Sequence, residues 1–122
     1  MTGQREFTIL FVEDDSGVRA STEEVLEKNG FRLLVAKDGE EALRLLEEND
    51  VQVLFTDVVM PGLDGIALAQ EAKLLQPDIQ VMFMTAYYSR AADAARLGKI
   101  LFKPLRAAEL VEALHSLMKA EP

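Results

Sequence analysis

The chain has 122 residues, 49% of them hydrophobic, which is enough for one sizeable core and too little for two, so a single domain over residues 1–122 is expected. Its 21 Asp and Glu against 13 Lys and Arg give a formal charge of −8, which excludes direct nucleic-acid binding by this chain and favours proteins and cations as partners. Cysteine is absent, which excludes disulfides and thiolate metal sites; no apolar run nears the ~20 residues of a membrane helix and residues 1–7 lack the apolar core of a signal peptide, so the expected location is cytoplasmic and no membrane partner is expected.

Residues 8–12, TILFV, form a short apolar strand that runs straight into Glu13, Asp14 and Asp15. Ser16 or Asp15 supplies a cap, and Val18, Val25 and Leu26 alternate with charged residues at helical spacing until Asn29-Gly30 stops the helix. A second strand at 31–36 and a turn at Lys37-Asp38-Gly39 lead into a helix at 40–48, with Ala42, Leu43, Leu45 and Leu46 inward. The central strand spans 51–56; its uncharged β-branched and aromatic residues suit burial on both faces, and it delivers Asp57 where the chain leaves the core and turns at Pro61-Gly62 and Asp64-Gly65. A third helix at 66–75 packs through Ile66, Ala69 and Ala72 or Lys73 and ends before Pro77, and a fourth strand spans 79–84. Residues 87–97 form a weak, Ala-rich helix with a thin apolar face, closed by Gly98. A short strand at 100–102 breaks at Lys103-Pro104, and the last helix, 107–118, carries the stripe Leu110, Val111, Leu114, Leu117 and Met118. Residues 1–5 and 120–122 are expected to fray, leaving a core of about 7–119.

Alternating strand and helix units predict an α/β fold: one doubly wound domain with a five-stranded parallel sheet in the order 2-1-3-4-5, flanked by five helices. Ligands of such sheets bind beyond the carboxyl ends of the strands where the winding reverses, here between strands one and three. Glu13, Asp14 and Asp57 converge there. Three close carboxylates repel and partial burial makes ionisation costlier, so a cation must offset them; Mg²⁺, a hard ion that keeps waters, fits best. The fourth strand's exit adds the Thr85 hydroxyl and Ala86, small enough to leave its backbone N–H open to a phosphoryl group, and the fifth adds the Lys103 ammonium. Around Asp57 as nucleophile these components form a phosphoryl-transfer site.

Each component alone has a plainer reading. Asp57 alone would be a turn cap, the acids at 13–15 a solvated charge run, Thr85 a strand end and Lys103 a snorkelling surface lysine. Asp15 is read as a helix cap, His115 as a partly exposed helix residue, Arg90 and Arg96 as surface charges, and the methionines as core filler. The placement of the others at four successive strand exits is what distinguishes them.

In ILFVEDD (9–15), LFTDVVMPGLDG (54–65), MTA (84–86) and KPL (103–105), the chain resembles the response-regulator receiver domain of two-component signalling over nearly its whole length. The resemblance implies that Asp57 is the phosphoacceptor and Asp14 a direct Mg²⁺ ligand, with Glu13 acting through water. The Val59 backbone carbonyl would complete the protein ligands, while Thr85 and Lys103 would each bind a phosphoryl oxygen. It also implies a cis Lys103-Pro104 bond, and a phosphohistidine donor on a histidine kinase or phosphotransfer protein. The output would pass to a downstream protein or a fused output domain, with homodimerisation compatible; no DNA-binding or enzymatic output is expected within these residues. Two departures stand out. The family's switch aromatic, three residues before the lysine, is Ile100, with Tyr87, Tyr88 and Phe102 as candidate substitutes, and the span from Thr85 to Lys103 is shorter by about one helical turn, which predicts a short or irregular fourth helix.

The leading expectation is a phosphorylation-switched signalling module that catalyses only its own phosphorylation and dephosphorylation, and so is not a conventional enzyme. The main alternative is a receiver-like interaction module that signals without phosphate. An aspartyl-nucleophile phosphatase of the haloacid-dehalogenase type would want a second acid at position 59, which is Val59, and an FMN-binding flavodoxin would want a first loop without Glu13, Asp14 and Asp15.

Overall fold

A computed structural model of the chain describes residues 7–119; the ends expected to fray lie outside the described residues. Five strands, β1 (Thr8–Val12), β2 (Arg32–Ala36), β3 (Val53–Asp57), β4 (Gln80–Thr85) and β5 (Lys99–Phe102), form one parallel sheet in the order β2-β1-β3-β4-β5. Helices α1 (Ser16–Lys28) and α5 (Ala107–Lys119) cover one face, and α2 (Gly39–Glu48), α3 (Gly65–Leu75) and α4 (Ala91–Ala95) cover the other. The alternation of side chains along a strand sorts the core accordingly. Ile9, Phe11, Val53, Phe55, Met82 and Met84 meet Leu26, Leu110 and Leu114 on the first face, where the Phe11 and Phe55 rings stack at 5.3 Å. Leu10, Val12, Leu54, Val58, Val81 and Phe83 meet Leu46, Leu68, Ala69 and Ala72 on the second. The buried methionines on β4 fill the core as their composition suggested.

The three helices that start at the carboxyl end of the sheet on well-defined caps do so on aspartates. Asp15, Asp38 and Asp64 accept hydrogen bonds from the N–H groups of Val18, Glu41 and Ala67 at 2.9, 2.8 and 2.8 Å. Of the two capping candidates for α1, the structure therefore selects Asp15. Gly62, at φ 74°, takes the left-handed conformation that the loop after β3 requires. Gly65, the first residue of α3, donates its N–H to Val58 O at 2.8 Å, and a Cβ there would run into the Asp57 carbonyl oxygen. The helix start is thus pressed against the end of β3.

The opposite end of the sheet is laced by glutamines. Gln52 Oε1 accepts from Thr8 N at 2.7 Å, Gln76 bridges Val51 N, Leu46 O and Asn49 O, and Gln80 donates to Leu117 O. Val51 N is held by Gln76, the Gln52 backbone donates to Thr8 O at 3.0 Å and accepts from Gln80 N at 2.9 Å, and β3 begins at Val53 rather than 51.

Two local expectations change. Val18 lies outside the core and is 36% exposed, because the first turn of α1 overhangs the end of β1, whereas Leu26 in the last turn is fully buried. The weak helix expected over 87–97 is a 3₁₀ turn (Tyr88–Arg90) followed by the five-residue α4, of which only Ala94 is buried. Gly98 lets the chain pass against Val81, and Lys103-Pro104 is cis. The 3₁₀ turn is held at two points: Tyr88 stacks on Phe102 at 4.5 Å, and Arg90 pairs with Asp64 at 3.2 Å. Arg90 is thus a tie between two loops, not the isolated surface charge its sequence position suggested. Burial works against the Asp64 charge, but the Ala67 N–H and the Arg90 guanidinium outweigh it and hold the carboxyl below its usual range.

Two outcomes follow. Gly65→Ala should lower the unfolding free energy by about 3 kcal/mol in urea titrations followed by circular dichroism, because backbone rather than a flexible side chain must shift; a change within about 0.5 kcal/mol, the range of a neutral surface substitution, would refute the close approach. Asp64→Asn keeps a capping side chain and removes only the charge, so it should cost less than about 1 kcal/mol at pH 7. The folded value of Asp64 is depressed, so its contribution is full above the unfolded value and lost as pH falls through the folded one. The stability gap between wild type and variant should close on acidification; a gap that is constant with pH would refute it.

Candidate functional site

The register of the parallel sheet sets the site. Val12 pairs with Thr56, Asp57 with Met84 and Thr85 with Phe102, so each strand exit lies one step from its neighbour's. Glu13 follows β1 with its N–H on Ala36 O, Asp57 ends β3, Thr85 ends β4, and Lys103 follows β5 with its N–H donated to Thr85 O at 2.9 Å. One carboxylate oxygen from each of Glu13, Asp14 and Asp57 lies within 4.8 Å of the other two. The convergence expected of the three acids is met.

Lys103 reaches into this cluster. Its Nζ donates to Asp57 Oδ2 at 2.7 Å and to Glu13 Oε1 at 3.1 Å. Glu13 is 1% exposed. Burial pushes its carboxyl up from the ordinary value, the Asp57 charge adds to this, and the Asp15 N–H (3.0 Å) and Lys103 pull the other way. Burial also works against the Lys103 ammonium, yet the hydrogen bond and charge of Asp57, followed by those of Glu13, raise its pKa overall. The lysine is therefore a firmly charged counter-ion. Asp14 points toward solvent, open to a ligand from outside.

Thr85 is fully buried, and its Oγ1 accepts the Tyr87 N–H at 3.0 Å. The hydroxyl's own proton is directed to the Tyr87 carbonyl at 3.5 Å, a long bond that a better acceptor would displace. Ala86 is exposed beside it. Val59, 41% exposed, donates its N–H to Asp57 Oδ1 at 3.3 Å, and Tyr87 is 57% exposed, so both flank the mouth of the site. A largely apolar cavity of about 450 Å³ lies alongside, lined by Val18, Met84, Ala86, Lys103, Pro104 and Leu105.

Hard carboxylate oxygens, one of them destabilised by burial, form a donor set that suits a hard divalent cation and no soft one. His115 is not part of the site: it sits exposed on α5 with its ring 5.4 Å from Phe31. Ile100 packs partly buried against the core on the α2–α3 face. One contact escaped the sequence reading. Arg19 on α1 donates to the backbone carbonyls of Glu13 (2.8 Å) and Asp14 (3.4 Å), and the available signal was an arginine one turn past the Asp15 cap.

This arrangement has close counterparts. The sequence profile described as "Response regulator receiver domain" matches residues 9–115. The chain is 36% identical to "Response regulator receiver protein CpdR" of Brucella abortus (strain 2308), covering 92% of this chain and 97% of that protein. It is 35% identical to "Transcriptional regulatory protein PrrA" of Mycobacterium tuberculosis, covering 97% of this chain and only 52% of that protein. Among solved structures, the receiver domain from hybrid histidine kinase CckA superposes with a TM-score of 0.80 at 35% identity, covering 91% of this chain and 98% of that one. Acids on β1 and β3, a threonine on β4 and a lysine after β5 gather at the switch point of a 2-1-3-4-5 sheet, in a chain matched along nearly its full length: it belongs to the response regulator receiver domain family.

Proposed function

We propose that this receiver, one unit over the whole chain, accepts a phosphoryl group onto Asp57 from a phosphohistidine on a histidine kinase or phosphotransfer protein in the cytoplasm, in a Mg²⁺-dependent reaction. The observation that carries this is the buried Asp57 carboxylate held at 2.7 Å by Lys103 with Glu13 and Asp14 oxygens beside it. An Asp57 oxygen attacks phosphorus as the P–N bond to the donor histidine breaks; the electron pair stays on the imidazole nitrogen, and Asp57 becomes an acyl phosphate. Asp14, Asp57 and the Val59 carbonyl would hold the metal, with Glu13 reaching it through water, and a bound ion would supply positive charge for the transferring oxygens. Lys103 pairs with one phosphoryl oxygen, the Thr85 hydroxyl donates to another, and the Ala86 N–H is available to a third. The apolar cavity beside Lys103 offers a donor protein contact next to the reacting atoms.

The switch is proposed to reach a downstream protein or a fused output domain through the 3₁₀ turn after Thr85. Thr85 Oγ1 is bonded to the Tyr87 N–H, and the turn that begins one residue on rests on Phe102 through Tyr88, so a shift of the hydroxyl toward phosphate would pull on that turn. Ile100, where an aromatic is usual in the family, together with the short α4, favours a second reading: an interaction module that signals without phosphate.

Intact mass after incubation with acetyl phosphate separates the two. A single phosphoryl adduct that needs Mg²⁺, is lost with chelator and is absent in Asp57→Ala is expected; no adduct under donor excess would leave the phosphate-independent module. The largely apolar Val59 and Tyr87 at the mouth would also hinder water attack on the acyl phosphate. Val59→Asn and Tyr87→Glu should each speed its decay, by up to about tenfold or ~1.4 kcal/mol in barrier, in mass-resolved time courses. Unchanged decay would refute that role.

A further inference from the structure

We infer that Arg19 is a positioning residue for the acidic cluster, fixing the backbone from which Glu13 and Asp14 present their carboxylates to a divalent cation. The inference rests on reading that cluster as a metal site. Three consecutive acids between β1 and α1 repel one another, so the backbone beneath them needs restraint. One side is anchored by Glu13 N–H on Ala36 O at 3.2 Å, and the other by Asp15, which takes Val18 N on its side chain at 2.9 Å and Arg19 N on its carbonyl at 2.8 Å. Between these anchors, one guanidinium nitrogen of Arg19 holds the Glu13 carbonyl at 2.8 Å and lies 3.4 Å from that of Asp14.

Peptide planarity makes that grip consequential. Fixing the Glu13 carbonyl fixes the whole plane that runs to the Asp14 Cα, and the second contact, to the Asp14 carbonyl, restrains the φ and ψ rotations that aim the Asp14 side chain. Asp14 is the exposed member of the trio, whereas Glu13 is buried and bonded to Lys103. Arg19 is always charged, and its positive charge by itself opposes a nearby Mg²⁺. Positioning and charge therefore predict opposite signs. Loss of the guanidinium weakens the metal site if Arg19 positions the loop and strengthens it if the residue acts by charge alone.

The experiment uses the full chain as wild type, Arg19→Ala and Arg19→Lys, the last keeping the charge and enough length to reach the Glu13 carbonyl. Mg²⁺ affinity is read by titration calorimetry at pH 7, and amide hydrogen exchange at Asp14 and Asp15 is read by NMR in chelator, with the β3 amides as an internal measure of global stability. Arg19→Ala should bind Mg²⁺ about tenfold more weakly, in the range of losses seen when groups that orient metal ligands are removed, and Arg19→Lys should recover most of it. Exchange at Asp14 and Asp15 should quicken in Arg19→Ala while β3 protection holds. Affinity equal to or tighter than wild type in Arg19→Ala, or unchanged exchange in the loop, overturns the inference. If wild type takes up no Mg²⁺, the metal reading falls and exchange alone decides the role of Arg19. Should Arg19→Ala fail to fold, Arg19→Met, which keeps the aliphatic stem and loses the guanidinium, takes its place: weaker Mg²⁺ binding with faster loop exchange supports the inference, and wild-type or tighter binding or unchanged exchange overturns it.

Discussion

The structure depends on one ammonium group. Glu13, Asp14 and Asp57 are brought together by β1 and β3, and like charges about 4 Å apart repel by roughly 4 kcal/mol even at an effective dielectric of 20. Set against the 5–15 kcal/mol or so by which a domain is stable, such repulsion left alone would be a large fraction of the whole. Lys103 offsets it from 90 residues away in the chain, with bonds to Asp57 and Glu13 at once. That ammonium arrives only if β5 pairs with β4 in register, so the last strand is tied to the charge balance of the first. The site and the sheet are therefore one energetic problem.

Much of this was legible in the sequence because the signals were local or periodic. The apolar runs at 8–12 and 53–57 end on acids, so the strands and their charged exits could be placed together. The cap candidate Asp15 and the turn Asp64-Gly65 stand beside their helix starts. Contacts set by packing between distant elements were harder. Val18 fits a helical stripe, yet its turn overhangs the sheet edge, which no periodicity reports. Arg90 paired with Asp64 and Arg19 gripping the Glu13 carbonyl each depend on how a long side chain folds back over a loop, and many rotamers are compatible with either sequence position. The weakness of α4 was visible as a thin apolar face, but the stack of Tyr88 on Phe102 that accompanies it required the β5 register.

Family membership follows from a match over residues 9–115 and from a relative covered almost end to end. The region after Thr85 is a 3₁₀ turn and a five-residue helix, with an aliphatic Ile100 packed partly buried against the core and an aromatic pair at the surface. A short helix with one buried residue has little packing to resist rearrangement, so the energetic threshold for moving this segment is set chiefly by the Tyr88 stack and the Arg90 ion pair.

The lacing at the amino-terminal edge of the sheet has a consequence for how the molecule answers its surroundings. Gln52, Gln76 and Gln80 close that edge with neutral amides, which neither titrate nor respond to salt, and they join β1, β4, α2, α3 and α5 to the backbone that leads into β3. The other edge is built from carboxylates, a lysine and arginines. Acid, ionic strength or a divalent ion therefore acts directly on the bonds that close one rim of the sheet, while the amide bonds that lace the far rim, with Asp50, Asp78 and Lys73 around them, do not titrate. The molecule is thus closed along its strands by charged bonds at one end and by neutral amide bonds at the other.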